Sequence, residues 1–575
     1  MSATSVPPGD PQDVPGGPGD PVEPLGGESG ADDRTGPRGG VRRGAALMAS
    51  GTAVSRLLGF LRLMVLGVAI GATGQAADAF SVANKLPNVL FMLLAGGVLN
   101  AVLVPQVVRA YKRHAGQEYV DRLLTFGFAL LAGASVLLTL AAPVLVRVLA
   151  DPDSDAQIAL TTAFAYWCIP QLFFYGAYAL LGQVLNARGS FGPYMWAPVV
   201  NNIVSIAGFG LFYVLWGQVD VAEEWGAGQI ALFGGSATLG VVCQAIVLVP
   251  FLRRAGVRYR WRWGVRGSGL GRAGNVATWT FVGLAIGLLG YVVVSRVASA
   301  APGGAAGPAT DVAGNAAYDY AFALFMLPHS LVTVSLATAL FTRLSAQAHD
   351  GDVAGVRGSL SSGLRVVGLF TLLAGAGLVV LAEPVVRLLL FSQPQGPVDA
   401  VAGVVIAMAV GLPAFGAWSM CQRVYYAYED AKGMVPVQIA MAAVVVAGTL
   451  LAQALLPHRA WVAGAGLSMS VSYVLGTVLA MRALRGRLGG RIDGAHVLRT
   501  HARAGLAALA AAGVGYVTLL ALRSYGPGDL AGAVLQCAVV GVVMSLTYLG
   551  ALRLLHVREL DQLLGPVLRR LRARR

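Results

Sequence analysis

Charge is scarce in this sequence. Of its 575 residues only 12% are Asp, Glu, Lys or Arg, about half the share usual in a soluble domain, while 56% are hydrophobic and the mean hydropathy is +0.67. That balance excludes an ordinary water-soluble enzyme. Lysine occurs only at 85, 112 and 432, never followed by Ser or Thr, so the G-x-x-x-x-G-K-[ST] phosphate loop of a built-in ATPase is absent. The four cysteines, Cys168, Cys243, Cys421 and Cys537, lie inside apolar runs without C-x-x-C spacing or clustered histidines. Buried packing is expected of them rather than a disulfide framework or a zinc site. No short apolar core with a small-residue cleavage site follows a basic start, so no signal peptide is expected. Paired carboxylates in a long outward loop, which a glycosyltransferase would need, are missing too.

Present instead are glycine, at 75 positions, and long apolar segments. Glycine suits transmembrane helices because it lets backbones approach closely. Residues 1–43, rich in Gly, Pro, Asp and Glu, bury too little to order themselves and read as a disordered tail. Beyond them, fourteen segments from about 46–70 to about 529–556 meet the roughly 20 residues needed to cross a bilayer as a helix. The expected fold is therefore an all-α integral membrane protein of about fourteen transmembrane helices.

Arginines alternate between loops. The tail, the second loop (Arg109, Lys112, Arg113), the sixth (Arg253 to Arg266), the twelfth (Arg485, Arg487, Arg491) and the C-terminus are basic, and the intervening loops are nearly free of positive charge. The positive-inside rule then predicts a multi-pass membrane protein with both termini cytoplasmic. The net charge of +14 sits in short loops beside apolar spans and lacks an aromatic-basic platform. It is explained by topology and anionic lipid headgroups, and no nucleic-acid partner is expected.

The chain also matches itself at a shift of about 240 residues. Asp78 with Leu86-Pro87 falls on Asp319 with Leu327-Pro328, and Tyr175-Gly176-Ala177-Tyr178 on Phe415-Gly416-Ala417-Trp418. Six spans separate the equivalents, an even number, so the halves are parallel repeats. This predicts two six-helix lobes, 44–256 and 257–490, and a helix pair with a basic end, 491–575.

A charged side chain at mid-span costs about 2.5–3.5 kcal/mol on insertion scales, which makes such residues pointers to function. They are Arg56 and Arg62 in the first span, Asp78 and Lys85 in the second, Arg296 in the seventh, Asp319 and His329 in the eighth, and Arg423 in the tenth. Ser55 and Arg62, seven residues apart, share a helix face, while Arg56 is turned about 120° from Arg62. Asp78 and Lys85 share a face too, yet a rise of about 10.5 Å keeps them from pairing on one straight helix. Two readings stay open for several of these. Arg56 and Asp78 form a packing ion pair or serve a substrate, and Asp78 and Asp319 cap and brace or take part in transport. Arg296 and His329 read as structural first. Cations in a central cavity suit an anion, and a diphosphate rewards desolvated guanidinium groups best.

The run Ser55-Arg56-Leu57-Leu58-Gly59-Phe60-Leu61-Arg62, followed by Ala77-Asp78-Ala79-Phe80 and Lys85-Leu86-Pro87-Asn88, resembles the MurJ/MviN lipid II flippase family of the multidrug/oligosaccharidyl-lipid/polysaccharide exporter superfamily. Pro105 after an apolar stretch is similar too. The resemblance implies a flippase, not an enzyme, that moves undecaprenyl-diphosphate-linked peptidoglycan precursor from inner to outer leaflet by alternating access, with the added helix pair forming a groove for the lipid tail. It implies a substrate site of Arg56, Arg62 and Asp78, to which the residues add Ser55 and Lys85, with Asp319, Arg296 and Arg423 as candidates in the C-terminal lobe. No cofactor or metal is expected, and the membrane potential or a cation gradient is the candidate drive. The expected partners are a lipid-linked glycan, membrane lipids, and cell-wall synthesis or division proteins. Two departures stand out: Phe91-Met92 and Phe322-Ala323 occupy places where better-known members carry Arg-Arg and Asp-Arg. They leave room for another lipid-linked polysaccharide unit as cargo. A non-transporting scaffold for cell-wall proteins is the alternative from another class.

Overall fold

In the computed structural model, residues 37–94, 117–264, 274–303, 309–490, 492–525, 530–557 and 559–560 are described. Pro105, most of the tail, and the basic residues of the second loop and the C-terminus lie outside them. The elements are helical. Helix α1 (Pro37–Ile70) is followed by α2 (Gln75–Leu94), α3 (Gln117–Leu140), α4 (Ala142–Leu149), α5 (Asp155–Cys168), α6 (Gln171–Ala187), α7 (Gly192–Trp216), α8 (Ala227–Ile246) and α9 (Leu248–Arg254). The second half runs α10 (Gly274–Ala300), α11 (Asn315–Pro328), a π-helical turn (His329–Thr333), α12 (Val334–His349), α13 (Val353–Val380), α14 (Ala382–Leu389), α15 (Gln395–Ala409), α16 (Leu412–Ala427), α17 (Ala431–Leu455) and α18 (Trp461–Arg487). It closes with α19 (Gly494–Tyr525) and α20 (Leu530–Leu554).

One expectation changes. Residues 37–43, read from the sequence as the end of a disordered tail, are helical backbone, because a helix already formed by a span adds one hydrogen bond for each further residue it fixes. Among the described residues twelve helices are long and apolar enough to cross a membrane, or thirteen with α15 and α16, which bend by 48°; residues 95–108 of the expected second span lie outside the described residues. The described part of that span, α2, is not among the twelve; Asp78, Lys85 and Asn84 dilute its apolar character. Several continuous apolar segments are broken, and proline marks the breaks. Pro143 and Pro413 stand in the first turns of α4 and α16, Pro170 just before α6, and Pro328 at the end of α11. A proline ring cannot accept a preceding helical turn without loss of a hydrogen bond.

The breaks recur between halves. Ala142 and Ala382, Asp155 and Gln395, Gln171 and Leu412, Gly192 and Ala431 begin equivalent helices 239 to 241 residues apart. Packing repeats as well. Gly208 lies against Ser236 and Gly240 against Asn201 where α7 meets α8, and Gly448 against Ser468 where α17 meets α18. In lipid, helices associate through such small-residue contacts, because hydrocarbon gives no hydrophobic drive to pack. Large apolar side chains instead cover the outside, as at Leu455, 76% exposed.

The last two helices, α19 and α20, pack on each other and on α13 and α14. Tyr548 donates from its hydroxyl to the Leu369 carbonyl at 2.8 Å, and Arg523 pairs with Glu383. Beyond α20, buried Glu559 accepts from Arg365 Nη1 at 2.5 Å, with His496 Nε2 at 3.5 Å. From Met48 onward the chain is one compact unit.

Candidate substrate cavity

A cavity of about 700 Å³ lies where the first half meets α11. Helix α1 lines it with Arg56, Gly59, Leu63, Leu66 and Ile70, a stripe at three- and four-residue spacing. Helix α2 contributes Ala77, Ser81, Lys85, Asn88 and Met92 at the same rhythm, and α11 contributes Ala316, Asp319, Tyr320, Ala323 and Leu327. Gln171 and Tyr175 enter from α6 and Ser330 from the π-helical turn. Four lining residues are charged: Arg56, Arg62, Lys85 and Asp319. Three cations against one carboxylate leave the cavity with a formal excess of two positive charges.

The cations are not equivalent. Lys85 pairs with Asp319 across the junction and lies 4.9 Å from the Tyr291 ring centroid and 5.8 Å from that of Tyr318. Asp319 also accepts from Ser81 Oγ at 2.5 Å. Arg56 Nη1 donates to Ser330 Oγ at 2.9 Å. Half-buried Arg62 makes no hydrogen bond or ion pair among the described residues, so it is the cavity cation left for a ligand.

Arg56, Arg62 and Lys85, expected together at a substrate site, all line this cavity, whereas several neighbours expected with them do not. Helix geometry turns Arg56 about 120° from Arg62, yet both line the cavity, because long side chains sweep a wide arc. Ser55, which shares the face of Arg62, is outside the lining; its carbonyl accepts from Asn202 Nδ2 at 2.9 Å. Asp78 neither lines the cavity nor meets Arg56. Only 1% exposed, it accepts at Oδ1 from the Ala316 backbone N–H at 2.7 Å and so caps the N-terminus of α11 from the other half. Its Oδ2 is buried without a partner among the described residues, and Gly314 stands so close that a Cβ there would strike the carboxylate. The ion pair considered for Arg56 and Asp78 is therefore replaced by two separate contacts.

Of the second-half candidates, only Asp319 reaches the cavity. Arg296 pairs with Asp151 at 2.5 Å and donates to the Arg147 carbonyl at 2.7 Å, clipping α10 to the end of α4. Arg423 lies over the Phe341 ring at 5.7 Å. His329 is buried against Phe415, its ring centroid 4.0 Å away. Sequence reasoning missed a polar cluster: Gln171 Nε2 donates to Asn84 Oδ1 at 3.2 Å and Thr238 Oγ1 at 3.1 Å, and Tyr175 donates to Gln171 Oε1 at 3.2 Å. Two polar residues four apart on α6, Gln171 and Tyr175, were the available signal. At the positions of the two departures, Met92, Phe322 and Ala323 line the cavity with apolar surface.

A charged cavity shared by two halves of a helical membrane protein defines a transporter, and no group of three or more His, Cys, Asp or Glu that could hold a metal occurs among the described residues. The chain belongs to the family described as Lipid II flippase MurJ, a transporter family and not an enzyme one, whose model matches residues 68–535. Arg56 and Arg62 precede that match. A relative named "Probable lipid II flippase MurJ" from Rhizobium meliloti (strain 1021) is 27% identical over 401 residues, covering 67% of this chain and 70% of the relative. The fold is that of the solved "Lipid II flippase MurJ, inward closed conformation", with a TM-score of 0.67 and 17% identity over 88% of this chain and 99% of the other. It is also similar to an inward-facing multidrug resistance MATE family transporter of the MOP superfamily, with a TM-score of 0.59 and 14% identity over 76% and 95% of the two chains.

Proposed function

We propose that this protein carries lipid II, the undecaprenyl-diphosphate-linked peptidoglycan precursor, from the inner to the outer leaflet by alternating access of two lobes, 44–256 and 257–490. The observation that carries this reading is the positive excess of the shared cavity, with Arg62 free of any described anionic partner. A guanidinium offers a planar fork that matches phosphate oxygens, and the low dielectric of the site strengthens the contact. Arg56 exchanges its hydroxyl partner Ser330 for a phosphate oxygen, and Lys85 keeps the halves in register through Asp319.

The same charge excess supplies a drive. A diphosphate neutralises the cavity on loading, whereas the empty cavity is positive, and moving one elementary charge through the membrane potential is worth about 2.3 kcal/mol per 100 mV. An inside-negative potential therefore returns the empty transporter to its inward-facing state. In this reading both termini are cytoplasmic, the helix pair 491–575 lies beside the lipid tail, and the tail before Pro37 contacts cell-wall synthesis or division proteins. The apolar Met92, Phe322 and Ala323 favour, as a second reading, a different lipid-linked polysaccharide unit.

Depletion of the protein followed by measurement of the leaflet holding each lipid-linked precursor tests both. Accumulation of lipid II in the inner leaflet is the expected result. Normal lipid II distribution with another lipid-linked glycan trapped inside supports the second reading, and no change in either contradicts transport.

A further inference from the structure

The polar strap that follows α9 is built as more than a connector between halves. After Arg253 and Arg254 close that helix, Gly256 adopts φ +78°, a conformation that L side chains avoid, and turns the chain back alongside α3. Val257 is then buried among Val120 and Leu252. From 258 to 263 arginine alternates with an aromatic residue: Arg258, Tyr259, Arg260, Trp261, Arg262, Trp263.

Two contacts fix the depth of this strap. The Tyr259 hydroxyl lies 2.8 Å from Thr125 Oγ1 and its ring meets Phe128 edge to face at 5.7 Å, while the Arg262 backbone N–H donates to the same Thr125 hydroxyl at 3.2 Å. Thr125 and Phe128 lie at the start of the apolar run of α3, which follows Glu118, Asp121 and Arg122 and opens at Leu123. At 1.5 Å per residue they lie about 3–8 Å into that run. The strap is thus held at the level where a bilayer changes from acyl chain to headgroup, whichever side of the membrane it faces. Trp261 and Trp263, 60% and 62% exposed, meet edge to face there at 5.7 Å. Indole rings favour this level because one edge is apolar and the N–H is wet.

Charge completes the site. Residues 253–263 hold five arginines and no acid. Arg262 is neutralised by Glu118 at 2.8 Å, which Arg122 shares at 2.6 Å. Arg253, Arg254, Arg258 and Arg260 are exposed and without a carboxylate partner among the described residues. We propose that this strap is a binding site for the headgroup of an anionic phospholipid: Trp261 and Trp263 seat in the acyl boundary and Arg258 and Arg260 take the phosphate. The assignment rests on the depth of the strap and its charge, independently of the cargo of the cavity.

The test uses the full chain in nanodiscs of phosphatidylcholine with or without phosphatidylglycerol. Native mass spectrometry after extraction should show phosphatidylglycerol retained in preference to phosphatidylcholine. Retention should fall roughly fivefold for each arginine removed in R258Q/R260Q and stay unchanged in R482Q, an exposed arginine on α18. In parallel, phospholipid brominated near the headgroup should quench a tryptophan signal that W261F/W263F lacks. That comparison decides the matter even where the arginine variant assembles poorly. Equal phosphatidylglycerol retention by R258Q/R260Q and the native chain, or emission from the two tryptophans that lipid bromine does not quench, overturns the proposal. Displacement of the lipid by excess inorganic phosphate also overturns it, assigning the strap to a soluble anion.

Discussion

The two ends of the junction between the halves are built differently. Near the C-terminal end of α1, one half grips the other through directional bonds: Asp78 caps α11, Tyr320 donates to the Leu63 carbonyl at 3.0 Å, and Gln393 Nε2 donates to the Gly67 carbonyl at 2.8 Å and Gln218 Oε1 at 3.2 Å. Arg296, Asp151 and Ser299 add a further clip, with the Asp151 N–H donating to Ser299 Oγ at 2.7 Å. Toward Arg56, about 20 Å away along α1, the Arg56–Ser330 bond joins the halves, with the Lys85 and Ser81 contacts to Asp319 lying between the two ends. One end is stitched through backbone groups, which substrate cannot easily replace. The other is closed by a single arginine, whose hydroxyl partner a phosphate can displace. A cavity closed at one end and weakly bridged at the other is the arrangement expected of one state in an alternating-access cycle, in which the stitched end must open in turn.

The largest effect is expected in the cavity between the two ends. Arg62→Ala should lower complementation of a depleted strain by about a hundredfold at normal membrane levels, because a charge-assisted bidentate contact contributes a few kcal/mol. Arg62→Lys should rescue poorly, since an ammonium presents a point charge. Wild-type growth with Arg62→Ala would place the substrate elsewhere.

Next in size is the pair that links the halves beside the cavity. Lys85→Asp or Asp319→Lys alone should strongly reduce transport, and the double exchange should restore part of it if registration is their role. Transport assays that show no recovery in a folded double variant would give Lys85 a direct part in binding. No recovery is expected from exchanging Arg56 with Asp78, which are not partners.

At the stitched end the effect is on stability. Asp78→Ala leaves the Ala316 N–H without its cap and should cost about 1 kcal/mol, read as a lower midpoint in thermal unfolding in detergent. Asp78→Asn keeps an acceptor oxygen and should unfold close to wild type; if it folds well yet fails to transport, the aspartate does more than cap. Gly314→Ala should resemble Asp78→Ala, because the added Cβ collides with the carboxylate.

The smallest effect lies away from the junction, where the terminal helices dock. Burial alone would raise the Glu559 carboxyl, but its own backbone N–H, Arg365 and His496 outweigh that and hold it below its ordinary 4.5. A depressed folded value means that docking gains stability above pH 4.5 and loses it as pH falls through the lower folded value. Protection from hydrogen exchange at α19 and α20, relative to the intrinsic rate at each pH, should therefore fall as pH drops below 4.5 in the native chain and show less pH dependence in Glu559→Gln.

The contrast between the two ends also explains what the sequence could disclose. Cations inside apolar segments are visible in one dimension because their cost is local, so Arg56, Arg62 and Lys85 stood out. Asp78 was equally visible, but its partner is a backbone N–H 238 residues away, and nothing in the spacing along α2 points to it. Arg296 and Arg423 show the converse. Each sits in an apolar run, yet Arg296 is held at the end of α4 and Arg423 lies over the Phe341 ring, and neither lines the cavity. Helix positions followed from composition and the repeat, whereas the breaks at Pro170, Pro328 and Gly411 depended on how neighbouring helices re-satisfy freed backbone groups. Gln171, Asn84 and Tyr175 are uncharged, and their cluster exists only once α2, α6 and α8 are assembled.

The most direct test of the central claim is translocation of labelled lipid II by the purified protein in sealed vesicles, comparing the native chain with Arg62→Ala at equal incorporation. The account predicts that the native chain exposes the headgroup on the far leaflet faster than empty vesicles and that Arg62→Ala matches empty vesicles. Equal rates for the native chain and Arg62→Ala would contradict it.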